Sequence, residues 1–286
     1  MNALFLFETR RSIRHWLTYL VALILISSGI FCGNKFNLTV GEGIYLNSPY
    51  TTGFLIGLLS LSVIFLAIIY ASRLLFKDTD SKFDRILFAL PLAKSTYLNG
   101  RFSVYLLQTF LSFTLLIAGF AIGQNLRTGE EIRAGFHLWY YLYPLLIFGF
   151  LNCLLVCSFL FFLSVTTRRK LLVVTGGLLL YVFYMVVLIF SNSPFMAGSM
   201  PQSLEAQQLS AIVDPFGLSP YFFETRNYTV LQRNGQVVPF SGKLLLNRCL
   251  YVFLSLLFLV LAHRIFSYSV GSGKRHKKKD EPVVPE

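Results

Sequence analysis

Six apolar stretches limit what this chain can fold into more than any other feature. They are Trp16–Phe31, Gly53–Ala71, Phe102–Gly123, Leu138–Val165, Leu171–Phe190 and Leu244–Ala262. Each is close to the roughly 20 residues that a helix needs to cross a bilayer. None of the 13 acidic residues lies inside any of them. With 55% hydrophobic residues, 13% charged residues and a mean hydropathy of +0.63, the chain has far more apolar surface than a soluble domain can hide. The expected fold is an all-α integral membrane protein with six transmembrane helices. The first stretch is short, and MNALFLFETRRSIRHW ahead of it mixes Phe and Leu with Arg in the manner of an interfacial lead. No small-residue cleavage site follows, so the first stretch is expected to remain as an anchor. The fourth is long, and Pro144 gives it a place to kink.

Orientation follows from Lys and Arg in the connections. With both termini cytoplasmic, the inside carries Arg10, Arg11 and Arg14; Arg73, Lys77, Lys82, Arg85, Lys94 and Arg101; Arg168, Arg169 and Lys170; and Arg264, Lys274, Arg275, Lys277, Lys278 and Lys279. These are 18 of the 25 basic residues, which leaves Lys35, Arg127, Arg133, Arg226, Arg233, Lys243 and Arg248 outside. The net charge of +12 is therefore read as a membrane-orientation signal and not as a nucleic-acid footprint. The expected organisation is a six-span membrane domain over residues 1–270, with a cytoplasmic loop at 72–101 and an external loop at 191–242. Residues 271–286, GSGKRHKKKDEPVVPE, form a basic tail expected to be disordered against anionic lipid.

The 72–101 loop, SRLLFKDTDSKFDRILFALPLAKSTYLNGR, is charge-rich yet patterned. At 100° per residue, Phe76, Phe83, Ile86, Leu87 and Leu90 share one arc, and Lys77, Asp78, Asp80, Lys82, Asp84 and Arg85 take the remainder. Pro91 disfavours helical geometry at Leu90 and ends the helix there. Phe88 alone breaks the pattern, pointing out among the charges. Two readings fit: an interfacial connector lying in the headgroup plane, or a docking helix with Phe88 as its anchor. On the other side, TVLQRNGQVVPF places Asn234-Gly235 between two β-favouring runs, a hairpin signal, and Asp214-Pro215-Phe216-Gly217 reads as a turn. A small external cap with a β-hairpin is expected.

Residues for chemistry are sparse. Cys32, Cys153, Cys157 and Cys249 lack zinc or redox spacing, and the four histidines do not cluster. Nucleotide-loop, zinc-hydrolase and nucleophile-elbow motifs are missing from the sequence. The absence of intramembrane acids disfavours an ion-coupled carrier. Polar residues within the stretches are mild. Their ordinary role is interhelical hydrogen bonding, and the alternative is that Gln108, Asn152 and Asn247 line a substrate path. Arg248 lies a few residues into the sixth stretch and is expected to snorkel to the outer interface. Gly53-xxx-Gly57 and Gly119-xxx-Gly123 permit close helix crossing.

The six-stretch plan, the amphipathic lead and the run from Asp78 to Phe102 together resemble the permease subunits of bacterial type-2 ABC transporters. The matching positions are Asp84, Leu87, Leu90, Pro91, Leu92, Tyr97, Gly100 and Arg101. Asp214-Pro215-Phe216-Gly217 with Leu244-Leu245-Leu246-Asn247-Arg248 is similar to the membrane half of a narrower group whose members carry a zinc-aminopeptidase-like domain. This chain has six stretches and no H-E-x-x-H, so peptidase activity does not carry over; it is a stand-alone permease or the N-terminal portion of a longer protein. The resemblance implies a bacterial inner-membrane exporter subunit that is not itself an enzyme and has no cofactor of its own. Its partners would be a second permease chain, identical or different, and a cytoplasmic ATPase that holds ATP and magnesium. Asp84, Arg85, Phe88, Leu90 and Pro91 would make the ATPase contact. The rival reading from the residues is a non-transporting membrane scaffold that recruits partners on both sides.

Overall fold

The computed structural model describes residue 10 and residues 16–36, 41–80, 93–127, 135–189 and 203–266. Six helical rods within it are long and apolar enough to cross a membrane: Thr18–Lys35, Pro49–Leu75, Lys94–Leu126, Trp139–Thr167, Lys170–Ile189 and Gly242–Ile265. They coincide with the six apolar stretches. The second and fourth rods form the centre, with 61% and 67% of their apolar windows buried, against 11% for the first and 22% for the sixth. The first, fifth and sixth therefore present most of the apolar surface that faces outward.

Helix α1 (Trp16–Lys35) packs chiefly on α5 (Lys94–Leu126). The reason is visible in two facing glycine pairs. Gly29 and Gly33 lie against the backbone of Leu116–Gln124, and Gly119 and Gly123 lie against Ile26 and Ile30; a Cβ at any of the four would overlap a carbonyl oxygen of the facing helix. Between helices already in an apolar solvent there is little hydrophobic drive to associate, so close backbone approach supplies the contact. The Gly119-xxx-Gly123 spacing meets Gly29-xxx-Gly33, and Gly53-xxx-Gly57 seats Tyr221 and Leu218 of the cap.

Two of the central rods are interrupted. Helix α2 (Pro49–Leu59) starts from a Ser48 cap that accepts from the Thr51 amide, with Pro49 in the first turn. It gives way to α3 (Ser62–Tyr70) across Ser60 and Leu61, where the Ser60 and Ser62 hydroxyls donate back to Gly57 O and Leu59 O at 2.6 and 2.7 Å. A π-helical turn, Ala71–Leu75, then leads into the short α4 (Lys77–Asp80). In the fourth rod, α6 (Trp139–Pro144) passes through a π-helical segment, Leu145–Phe150, into α7 (Leu151–Thr167), so Pro144 does mark a break. Arg168 closes α7 in the left-handed region (φ 52°), allowing a tight turn into α8 (Lys170–Ile189).

The expected hairpin does not form, and no strand occurs among the described residues. Three short helices make up the cap: α9 (Leu204–Val213), α10 (Leu218–Thr225) and α11 (Val230–Gly235), which precede α12 (Gly242–Ile265). Thr229 and Gln232 close a reciprocal capping box that starts α11. Gly235 lacks the positive φ that a two-residue hairpin turn requires of its second residue. Asn234 instead holds a neighbouring loop: its Oδ1 accepts from Tyr45 N and its Nδ2 donates to Gly43 O, both at 2.8 Å. A helix start written as T-x-x-Q outweighed β propensity in the flanking residues.

Candidate functional site

The predicted docking residues Asp84, Arg85, Phe88, Leu90 and Pro91, like most of the predicted helix, lie outside the described residues; the points where the loop leaves and returns do not. It leaves through the π turn and α4, where Asp80 pairs with Lys170 at the start of α8. It returns at α5, where buried Arg101 donates to Leu74 O and its guanidinium lies 5.5 Å from the Tyr97 ring centre. Tyr97 and Lys94 in turn approach Phe266, at the end of α12, at 5.8 and 5.9 Å. The two roots of the loop thus touch the second, third, fifth and sixth rods.

At the opposite end of the bundle is a buried polar cluster. The Asp214 carboxylate, fully buried, accepts from the amides of Phe216 (2.7 Å) and Gly217 (3.0 Å) through one oxygen and from Ser219 (2.6 Å) through the other. This makes Asp214–Gly217 the turn read from the sequence, with Asp supplying the side-chain acceptor. The turn brings its outward carbonyls to α12. Asn247 donates to Ala211 O, Ile212 O and Asp214 O at 2.9–3.0 Å, satisfying the carbonyls left at the end of α9. Its Oδ1 accepts from Arg248 Nε (3.0 Å) and Nη2 (2.6 Å).

Arg248 does not snorkel. It is 1% exposed, and its remaining donors reach Asn152 Oδ1 (Nη1, 2.8 Å) and Pro215 O (Nη2, 3.3 Å). A stem that could have reached water is turned inward because four acceptor contacts await a planar, five-donor group there. Asn152 completes the junction by donating to Ser60 Oγ at 2.8 Å and Phe216 O at 3.2 Å. Ser60 is the break between α2 and α3, and Asn152 follows the π-helical segment; both irregularities of the central rods therefore border this cluster. Tyr184 of α8 packs its ring edge-on against Phe216, centroids 4.8 Å apart. Gly217, at φ 81°, lies where a Cβ would overlap the Arg248 guanidinium. Nearby, burial pushes the Tyr221 phenol well above its ordinary range, and its hydroxyl donates to Tyr50 O at 2.8 Å.

The structure thus brings together two of the three residues placed on a substrate path. Asn152 and Asn247 are fully buried with their amides engaged, whereas Gln108 lies apart on a groove of about 150 Å³ between α1, α3 and α5, with Thr18, Tyr70 and Leu111. Sequence reasoning missed Asp214 and Arg248 as a unit. The signal was present: an Arg inside an apolar stretch is costly unless partners are built for it, and the two short motifs that carried the narrower resemblance are the ones that meet in space. Among the described residues no cluster of metal-binding side chains occurs.

A bundle of six membrane-length helices, with one connecting loop rooted on several of them, is the plan of a multi-span membrane protein. The sequence profile of the family described as ABC-2 family transporter protein matches residues 44–213, more than half of the chain, and the protein belongs to that family. The match runs from the segment ahead of α2 to the end of α9, so it includes Asn152 and stops one residue before Asp214. No curated protein and no solved structure matches the chain.

Proposed function

We propose that this protein is the membrane-spanning permease subunit of an ATP-driven exporter in a bacterial cytoplasmic membrane. It pairs with a second permease chain and couples to a separate ATPase that binds ATP and magnesium. Both termini and the 72–101 loop are cytoplasmic in this reading, and the cap faces outward. The domain layout is a membrane domain over 1–270 followed by a basic tail.

The observation that carries the reading is the rooting of the loop. A push on the segment between Asp80 and Ala93 acts on the π turn below α3, on the first turn of α5, on Lys170 of α8 and on Phe266 after α12. A π turn is a point at which a helix changes its winding with little rearrangement of neighbours, and such turns recur at functional sites. ATPase closure would therefore tilt the central rods, while the Asp214–Arg248 cluster keeps their far ends joined to the cap. Asp84, Arg85, Phe88, Leu90 and Pro91 make the contact with the ATPase. Of the three polar residues placed on a substrate path, Gln108 is the one beside an open groove, and it is the residue retained for that role.

The test is Phe88→Glu. The variant should reach the membrane at normal levels yet lose co-purification with the partner ATPase, because a carboxylate cannot occupy an aromatic pocket without large desolvation cost. Unchanged association and unchanged ATP turnover of the complex overturn the assignment.

A further inference from the structure

A second cavity, of about 180 Å³, opens in the cap between α2, α9, α10 and α11. Two guanidinium groups reach it. Arg226 lies 4.4 Å from the Phe223 ring centre and Arg233 lies 4.9 Å from that of Tyr50. An aromatic face holds a guanidinium by its plane and leaves the N–H edge to bind something else. Among the described residues neither arginine has a carboxylate partner, and no acid lines the cavity. Two further donors point to a missing acceptor. Ser219 lines the cavity and is only 3% exposed, and its buried hydroxyl has no hydrogen-bond partner; the buried Nε of Arg233 has none either. Unmade hydrogen bonds at buried polar atoms are costly and uncommon, and a cluster of donors without acceptors fits an anion.

Two acids of the cap are already engaged. Asp214 spends both oxygens on three backbone amides, one of them that of Ser219, and Glu224 accepts from Lys243 N at 2.6 Å. Phe222 and Tyr50 supply an apolar wall beside the donors. We propose that this cavity binds a phosphate group carried on a short apolar stem. The arginine edges and the Ser219 hydroxyl take the phosphate oxygens, and the aromatic wall takes the stem. A phosphate suits the site better than a carboxylate because two forked donors and a hydroxyl address more oxygens than a carboxylate has. The inference does not depend on coupling to an ATPase, and its test uses neither nucleotide nor partner.

The probe is hexyl phosphate, titrated calorimetrically into the purified full-length chain in neutral detergent, with hexyltrimethylammonium as the control of opposite charge. Saturable binding of hexyl phosphate alone is expected. In R226Q/R233Q the affinity should fall by about ten-fold or more, the scale of losing charge-assisted hydrogen bonds. Ser219→Ala removes a hydroxyl that has no partner in the free protein, so thermal unfolding without ligand should stay unchanged while affinity falls several-fold. That variant carries the test if the double arginine variant does not fold. Competition by inorganic phosphate assigns a free anion, and competition only by phosphatidic acid in nanodiscs assigns a lipid headgroup. Failure of both to compete, equal binding of the ammonium probe, or undiminished binding by Ser219→Ala overturns the proposal.

Discussion

The two ends of the bundle handle charge in opposite ways. At the cap end, Arg248 and Asp214 are buried to 1% and 0% exposure, and their hydrogen bonds go to backbone amides of a turn, a backbone carbonyl and the side-chain amide oxygens of Asn152 and Asn247. At the loop end, the Asp80 and Lys170 side chains remain 54% and 46% exposed, and Lys94 rests on an aromatic ring. Buried polar groups in an apolar surround have no substitute partner if one is lost, whereas exposed charges fall back on water. The cap cluster is therefore built to stay joined, whereas at the loop end, beside the buried Arg101, the Asp80–Lys170 contact can be rearranged at small cost. Under the proposed coupling the push arrives at the loop end, and the contrast can be broken experimentally from either end.

Arg248→Met should have the largest effect. Methionine fills much of the space but leaves Asn152 Oδ1, Asn247 Oδ1 and Pro215 O without donors, and it removes the charge nearest to the Asp214 turn. Taking one member out of a buried charged network costs about 3–5 kcal/mol. The expected result is a large fall in the thermal midpoint measured in detergent, with the cap becoming sensitive to protease before the rods. Arg248→Lys should rescue little, because one ammonium cannot reach acceptors spread across a planar fork. A midpoint within a degree or two of the parent in both variants would show that the cluster does not hold the cap.

How the sequence relates to these two ends is uneven. Six spans, the Pro144 break and the turn at Asp214 follow from hydropathy and local chemistry, because each depends on residues adjacent in the chain. The Arg248 cluster joins residues from four separate segments, and single-sequence reasoning had the cost of a buried charge and two separate short motifs to suggest it, neither of which names the partners. Asn234-Gly235 shows a different failure. The dipeptide suits a hairpin, yet Thr229 and Gln232 five and two residues earlier suit a helix start, and the polar side chain of Asn234 then found Gly43 and Tyr45. Asn234→Ala separates these readings. It should lose two hydrogen bonds, about 1–2 kcal/mol together, while helical content stays unchanged in circular dichroism. Retained stability would mean that the 43–45 segment is held by something other than Asn234.

Asp80→Asn should have the smallest effect. The Asp80–Lys170 contact joins the end of α4 to the start of α8, but both side chains are about half exposed, and a pair in that setting contributes about 0.5 kcal/mol or less and weakens with salt. Thermal midpoints of Asp80→Asn and of the parent should coincide within error at 0.5 M sodium chloride and differ by no more than a degree or so at low salt. If the loop transmits force, the same variant should alter ATP turnover of the assembled complex despite its near-neutral stability, because a weak contact at the root of the loop still sets its resting position. A stability loss as large as that of Arg248→Met would erase the contrast between the two ends. Unchanged turnover with unchanged stability would restrict the loop's mechanical link to Arg101 and Leu74, which join α5 to the π turn directly.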